Sequence, residues 1–149
     1  MKKIICLLIA AAAFSTYSAR AQDYNFAVGV RLGGDTGGAS VKFKMNPSDA
    51  LEGILSVPWD KGGGFLFTLL YERHIPVITH GFHLYYGAGG HIGTRVEKLS
   101  FGVDGILGLE YKLRHSPLAI SLDYKPSFSI LHKTKFHFSD LALGIRVAF

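Results

Sequence analysis

Several residue sets in this chain have the types and spacings that chemistry uses. His137-Phe138-Ser139 places a base two residues from a hydroxyl. On an extended chain, period two sets both on one face, in parity with Leu141, which is a geometry for a base-activated serine. No glutamate follows to orient the imidazole, and the segment is rich in His and Lys. Chance placement explains the pair better, and no catalytic residue is assigned. The 7 histidines raise metal binding. His83 and His91 share a parity, but eight strand residues at ~3.4 Å each separate them by about 27 Å. They cannot hold one ion. His74 and His80 flank a connection and could approach each other, yet two imidazoles without a nearby thiolate or carboxylate make a poor site. Gly33-Gly34 and Gly62-Gly63-Gly64 are not phosphate cradles, because no helix follows to add its N-terminal dipole. No metal ligand and no cofactor is expected.

The elements that carry these residues come next. At 149 residues the chain has room for one domain, and 48% hydrophobic content with a mean hydropathy of +0.24 excludes intrinsic disorder. Lys2 and Lys3, the apolar run from Ile4 to Phe14 and the Ala19-Arg20-Ala21 site form a secretory signal peptide over residues 1–21. That run is about half of the ~20 residues a membrane helix needs. Residues 22–149 remain as the domain. Removing Lys2, Lys3 and Arg20 takes 16 bases to 13 against 11 acids, so the charge falls from +5 to +2. A nucleic-acid partner loses its main support. Cys6, the single cysteine, leaves with the signal, so neither a disulfide nor thiol chemistry is expected.

The rest alternates with period two between turn residues, which predicts strands. Eight are expected, near Tyr24–Leu32, Ala39–Met45, Leu51–Val57, Phe65–Arg73, Phe82–Gly93, Phe101–Leu113, Leu118–Ile130 and Asp140–Phe149. The connections fall at Gly33–Gly38, Asn46–Asp49, Pro58–Gly64, His74–His80, Thr94–Ser100, Arg114–Pro117 and Leu131–Ser139. Short connections imply antiparallel neighbours. The expected fold is all-β, an eight-stranded antiparallel up-and-down barrel, which leaves no open edge.

One face of these strands is apolar, as in Tyr24-x-Phe26-x-Val28-x-Val30-x-Leu32 and Leu141-x-Leu143-x-Ile145-x-Val147-x-Phe149. The other is small and charged, with Ala27, Gly29 and Arg31, then Asp104, Gly108 and Glu110, then Ala142, Gly144 and Arg146. Glycine weakens a solvent-facing strand unless packing requires it. A narrow lumen requires it. The charged parity holds six acids (Glu52, Glu72, Asp104, Glu110, Asp123, Asp140) and six bases (Arg31, Lys42, Lys44, Lys112, Lys125, Arg146). Equal numbers suit an ion-paired interior, because buried charge without a partner is costly. Arg146 is expected to pair with Glu110 or Asp123. Ile54, Leu66, Leu70 and Ile106 also fall on this parity, as lumen fillers, bulges or register errors. The pattern favours a barrel turned apolar side out, in a membrane, over a secreted soluble barrel.

Gly144-Ile145-Arg146-Val147-Ala148-Phe149 resembles the C-terminal strand signal of small eight-stranded outer-membrane β-barrels, the OmpA transmembrane domain and OmpX type. Leu84–Gly93 and Gly102–Tyr111 resemble stretches of the same barrels. The resemblance implies insertion by the barrel-assembly machinery, both termini in the periplasm, and alternate connections facing outward. Those connections carry Lys61, Arg95, Lys98, Lys133 and Lys135 against Asp35, Asp60 and Glu97. Contact with lipopolysaccharide phosphates is one reading, and a solvated loop surface explains the charges better. Trp59, Phe65, Phe101 and Phe128 on one rim, with Tyr24, Phe43, Tyr71, Phe82, Tyr111 and Phe149 on the other, would be aromatic girdles. The lipid A deacylases of this fold carry a His-x-Ser pair followed by Asn, with a glutamate downstream; here Asp140 follows Ser139. The expectation is a monomeric, non-enzymatic outer-membrane barrel with a closed lumen, in contact with outer-membrane lipid and lipopolysaccharide, serving an envelope-structural or surface role. The alternatives are a rim hydrolase acting on lipid A and a secreted soluble barrel holding an apolar ligand.

Overall fold

A computed structural model describes residues 25–59, 63–76, 81–95, 98–130, 135–137 and 140–149. The signal segment 1–21 lies outside the described residues, as do His80, Ser139, Lys61 and Lys133.

Alternation of apolar and polar residues over long runs gives β1 (Phe26–Gly33), β2 (Thr36–Lys44), β3 (Asp49–Pro58), β4 (Gly64–Pro76), β5 (Phe82–Arg95) and β6 (Lys98–Lys112). The remainder forms β7 (Leu118–Tyr124), β8 (Ser127–Ser129), β9 (Lys135–His137) and β10 (Leu141–Ala148). All neighbours are antiparallel, and the pairing of β1 with β10 and of β5 with β6 closes the sheet. β7 and β8 are halves of one stave, interrupted at Lys125-Pro126, because proline has no N–H for the ladder. The Pro126 carbonyl still accepts from Gly105 N–H at 2.9 Å, and the pairing with β6 resumes in the same register. β9 and β10 make the last stave. The result is a closed barrel of 8 staves.

Several boundaries differ from the sequence expectation, among them the start of β2 at Thr36, inside the expected connection Gly33–Gly38. β4 continues through His74 to Pro76, since a proline can end a strand as well as break one. β5 and β6 pair as far as Arg95 with Lys98, so the expected loop Thr94–Ser100 is a tight hairpin. No glycine or proline lies between those residues to stop the ladder. In the last stave, Leu141 pairs with Tyr124 but His137 pairs with Ser127, a one-residue offset from the β7–β10 register. The period-two count from His137 to Leu141 therefore does not run unbroken.

The faces separate as charge and size dictate. Val30, Leu32, Leu55, Phe67, Leu69, Val103, Leu109, Leu122 and Leu143 point outward and are exposed. Arg31, Lys42, Lys44, Glu52, Glu72, Asp104, Glu110, Asp123, Lys125, Asp140 and Arg146 are buried inside, and Lys112 is half-buried. Ile54, Leu70 and Ile106 keep the inward register and cluster with Tyr85, so they are lumen fillers; Leu66 is half-buried. Phe149 packs on Phe26 at 6.3 Å and Phe82 on Tyr111 at 4.6 Å between ring centroids, at the end where the termini meet. Trp59 donates its indole N–H to the Gly33 carbonyl at 3.1 Å at the distal end. Tyr24 lies outside the described residues. Glycine is required where staves come closest. A Cβ at Gly89 would fall on the Leu69 carbonyl of β4.

Leu143 sits between Leu32 and Leu122 on the outer face. Leu143→Arg is expected to cost about 2–4 kcal/mol in urea titrations of bilayer-folded protein if the position lies at the bilayer midplane. Ser121→Thr, inside, should cost far less, because it keeps the hydroxyl that Arg146 uses. Equal stability of Leu143→Arg and wild type would reverse the assignment of faces.

Candidate functional site: the charged interior

The lumen is where the buried charged side chains of the described residues converge. Its charges form two groups. In the first, Lys42 Nζ lies 2.8 Å from Glu72 and 3.5 Å from both Glu52 and Glu110. Arg146 pairs with Glu52 and reaches Glu110 at 3.6 Å. Its remaining N–H groups donate to Ser40 at 3.0 Å and Ser121 at 2.7 Å. These contacts join β2, β3, β4, β6, β7 and β10 across the barrel. Gly29 faces Arg146 with no side chain; a Cβ there would meet the Ile145 carbonyl and come 2.8 Å from Arg146 Cγ.

The second group lies nearer the distal end. Arg31 donates to Asp123 from Nε at 3.0 Å and from a terminal nitrogen at 2.6 Å, and to Asp140 at 3.0 Å. Both donors converge on one Asp123 oxygen, and each bond is charge-assisted. Lys125 is 3.5 Å from Asp140 and 3.9 Å from Asp104. Tyr85 joins the groups: its hydroxyl donates to Asp123 at 3.0 Å, and its ring lies 4.2 Å from Lys42 Nζ. Gly108 makes room for that ring, since a Cβ there would overlap it.

Of the histidines considered for metal, His74 is inside the barrel, stacked on Tyr85 at 5.2 Å and 3.2 Å from Glu72. It is a lumen residue and not a turn residue, because β4 is longer than expected. Its approach to His80 lies outside the described residues. His83 is half-buried, and β5 carries it and His91 eight residues apart. His91 Nδ1 is 2.9 Å from Asp104, and Ser129 Oγ is 3.3 Å from His91 Nε2. An ionised Asp104 accepts from Nδ1–H, which leaves Nε2 to accept from the serine hydroxyl. Among the described residues no three His, Cys, Asp or Glu side chains are grouped to hold a metal ion. His137 is described as backbone in β9, and Ser139 lies outside the described residues.

The sequence expectation paired Arg146 with Glu110 or Asp123. Glu110 is a partner, Asp123 belongs to Arg31, and Glu52 was missed. Parity placed all of these residues inside, but the stagger between staves decides which of them meet. The Ser129–His91–Asp104 contact was missed for the same reason, since it joins β5, β6 and β8.

An apolar exterior around a charged, glycine-lined interior on 8 closed staves defines a transmembrane β-barrel of the small outer-membrane type. No protein-family model and no curated protein matches the chain. Solved structures do. The N-terminal β-barrel domain of Pseudomonas aeruginosa OprF is similar over 86% of this chain and 100% of its own, with a TM-score of 0.69 at 16% identity. A de novo designed transmembrane β-barrel is similar over 87% of this chain and 100% of its own, with a TM-score of 0.61 at 14% identity. The Yersinia pestis outer membrane protein Ail is similar over 85% of this chain and 100% of its own, with a TM-score of 0.55 at 11% identity. At such identities the likeness is one of fold.

Removing one partner of a buried pair leaves a bare charge, so Arg146→Ala is expected to cost about 3–5 kcal/mol where the lumen is dry, and less where water enters. A double-mutant cycle with Glu52→Gln, read by urea unfolding of the folded barrel, should show coupling. Absence of coupling to both Glu52 and Glu110 would remove the ion-paired interior from the account.

Proposed function

We propose that this protein is an integral outer-membrane barrel whose lumen is closed by paired charges, and that it serves an envelope-structural or surface role as a monomer. One observation carries the reading: the apolar residues are outside and the charged ones inside, an arrangement stable in lipid and unstable in water. Lipid meets the outer face, and the barrel-assembly machinery reads the Gly144–Phe149 segment during insertion. Export by the 1–21 signal and a periplasmic position for both termini accord with this location, and Ail, which shares the fold, is an outer membrane protein. Lipopolysaccharide phosphates would meet the distal rim. The role follows from holding a closed barrel in the membrane and needs no catalysis.

Eight staves enclose room for side chains and no aqueous channel. Lys42, Arg146, Tyr85, Ile54 and Leu70 fill the middle. The purified protein is therefore expected to show no stable porin-like conductance in planar bilayers, and a sustained open channel would overturn the closed lumen. In cells the chain should fractionate with outer membrane and migrate differently in detergent gels before and after boiling; migration unchanged by boiling and a soluble fraction would favour a secreted barrel. Lipid A should not be hydrolysed. Hydrolysis lost in both His137→Ala and Ser139→Ala would put the rim hydrolase in place of this reading.

A further inference from the structure

The interior holds a contact among Ser129, His91 and Asp104 that the closed-lumen role does not require, although Asp104 also pairs with Lys125. Ser129 Oγ lies 3.3 Å from His91 Nε2, and His91 Nδ1 lies 2.9 Å and 3.0 Å from the two Asp104 oxygens. We propose that Ser129, His91 and Asp104 form a nucleophile site that takes acyl groups from small, activated esters entering the distal end of the lumen. This goes beyond the structural role and runs against the expectation of a chain without catalysis.

The site is built into the sheet. His91 on β5 pairs with Gly102 on β6, and Gly102 pairs with Ser129 on β8, so the ladder sets the base and the hydroxyl two staves apart. That distance is bridged because the middle position has no side chain: a Cβ at Gly102 would come 2.9 Å from His91 Cε1. Asp104 follows two residues along β6 on the same face and receives Nδ1. Lys125 holds Asp104 from the neighbouring stave at 3.9 Å. His91 and Asp104 are buried while Ser129 is half-buried, so the nucleophile is the accessible member. One register step towards the distal end, the inward positions from β1 to β6 are Arg31, Gly38, Ser56, Leu66, Gly93 and Ser100; four are small, and Arg31 and Leu66 narrow the way in to a small ester.

The chemistry balances without a cofactor. Ser129 Oγ attacks the ester carbonyl as its proton passes to His91 Nε2, with Asp104 holding the imidazolium through Nδ1–H. The carbon–oxygen bond to the leaving group breaks, His91 returns the proton to the departing alcohol, and an acyl-Ser129 remains. Water then attacks that ester, giving one proton to His91 and releasing the acid as the proton returns to Ser129. Ile130 N–H, next to the nucleophile, is committed to the Phe101 carbonyl at 3.0 Å. It does not serve the oxyanion, so the substrate must bring a good leaving group. The narrow lumen limits the acyl group to a short chain and excludes two-chain lipids.

The test uses the full folded chain in detergent, with the boiled and unboiled gel shift as the check of folding. A fluorophosphonate probe should label one residue, mapped to Ser129 by peptide mass spectrometry, and p-nitrophenyl acetate should be hydrolysed with an initial burst. Ser129→Ala should abolish both. His91→Gln should slow labelling at least tenfold with the gel shift kept; if it does not fold, Asp104→Asn, which sets the wrong imidazole tautomer, should give the same loss. No adduct at Ser129 in the folded barrel overturns the proposal and leaves the serine a packing partner of His91. So does equal labelling in the folded His91→Gln or Asp104→Asn variant. Neither result touches the closed-lumen reading, which rests on conductance.

Discussion

A charge taken into a protein interior must find a partner at hydrogen-bonding range, and every other feature of this barrel depends on that constraint. Lys42 and Arg146 gather Glu52, Glu72 and Glu110, while Arg31 and Lys125 gather Asp104, Asp123 and Asp140. Some pairs join neighbouring staves, as Arg31 with Asp140 and Lys125 with Asp104, and others brace staves across the lumen. Strand pairing alone fixes neighbours. The ion pairs fix staves that are not neighbours, as where Arg146 of β10 meets Glu52 of β3. Low dielectric makes such pairs strong and makes each bare partner expensive. The outer face needs no comparable precision, since lipid accepts any apolar side chain there.

Space is the second constraint, and glycine meets it. A lumen this narrow cannot take a long side chain from every stave. Arg146 lies over Gly29, Tyr85 over Gly108 and His91 over Gly102. The same alternation of large and small that weakens strands in water therefore makes this interior packable. Ile54, Leu70 and Ile106 show that the filling need not be polar. An apolar cluster around Tyr85 sits beside Lys42, while the Tyr85 hydroxyl ties that group to Asp123. Pro126 is tolerated in the wall because its carbonyl still accepts and only its missing donor interrupts the stave.

The two ends of the interior differ in consequence. The middle is filled by long side chains, whereas beyond the contacting serine, histidine and aspartate the small Gly38, Ser56, Gly93 and Ser100 share the ring with Arg31 and Leu66. A structural plug and a reactive mouth can share one barrel, because the ladder that closes the wall also sets the spacing of His91, Gly102 and Ser129. Arg146 and Lys42 take no part in that contact, whereas Asp104 belongs both to it and to the pair with Lys125, so the bracing and the chemistry meet at that carboxylate.

Alternation is a local property, readable along one strand at a time, and so the sequence by itself determined an all-β chain with one apolar and one charged face. It also determined which charges go inside: Arg31, Lys42 and Glu52 occupy the face their parity assigned. Ile54, Leu70 and Ile106 kept that parity too, although their type argued against it. Boundaries were legible at Asn46–Asp49, where asparagine and proline mark the turn, but not at Gly33–Gly38, where β2 already begins at Thr36. They were misread at His74–Pro76, where a proline ends a strand, and at Thr94–Ser100, where no breaker residue stands. Only the tertiary structure decided who meets whom. Each stave is shifted along its neighbour by an amount set jointly by turn geometry, twist and closure, and those shifts add around the ring. Arg146 therefore finds Glu52 while Asp123 goes to Arg31, and His91 reaches Ser129 across Gly102 from 38 residues away in sequence. Local pattern fixes a residue's face, but its partner across a closed barrel is fixed by the sum of every register between them.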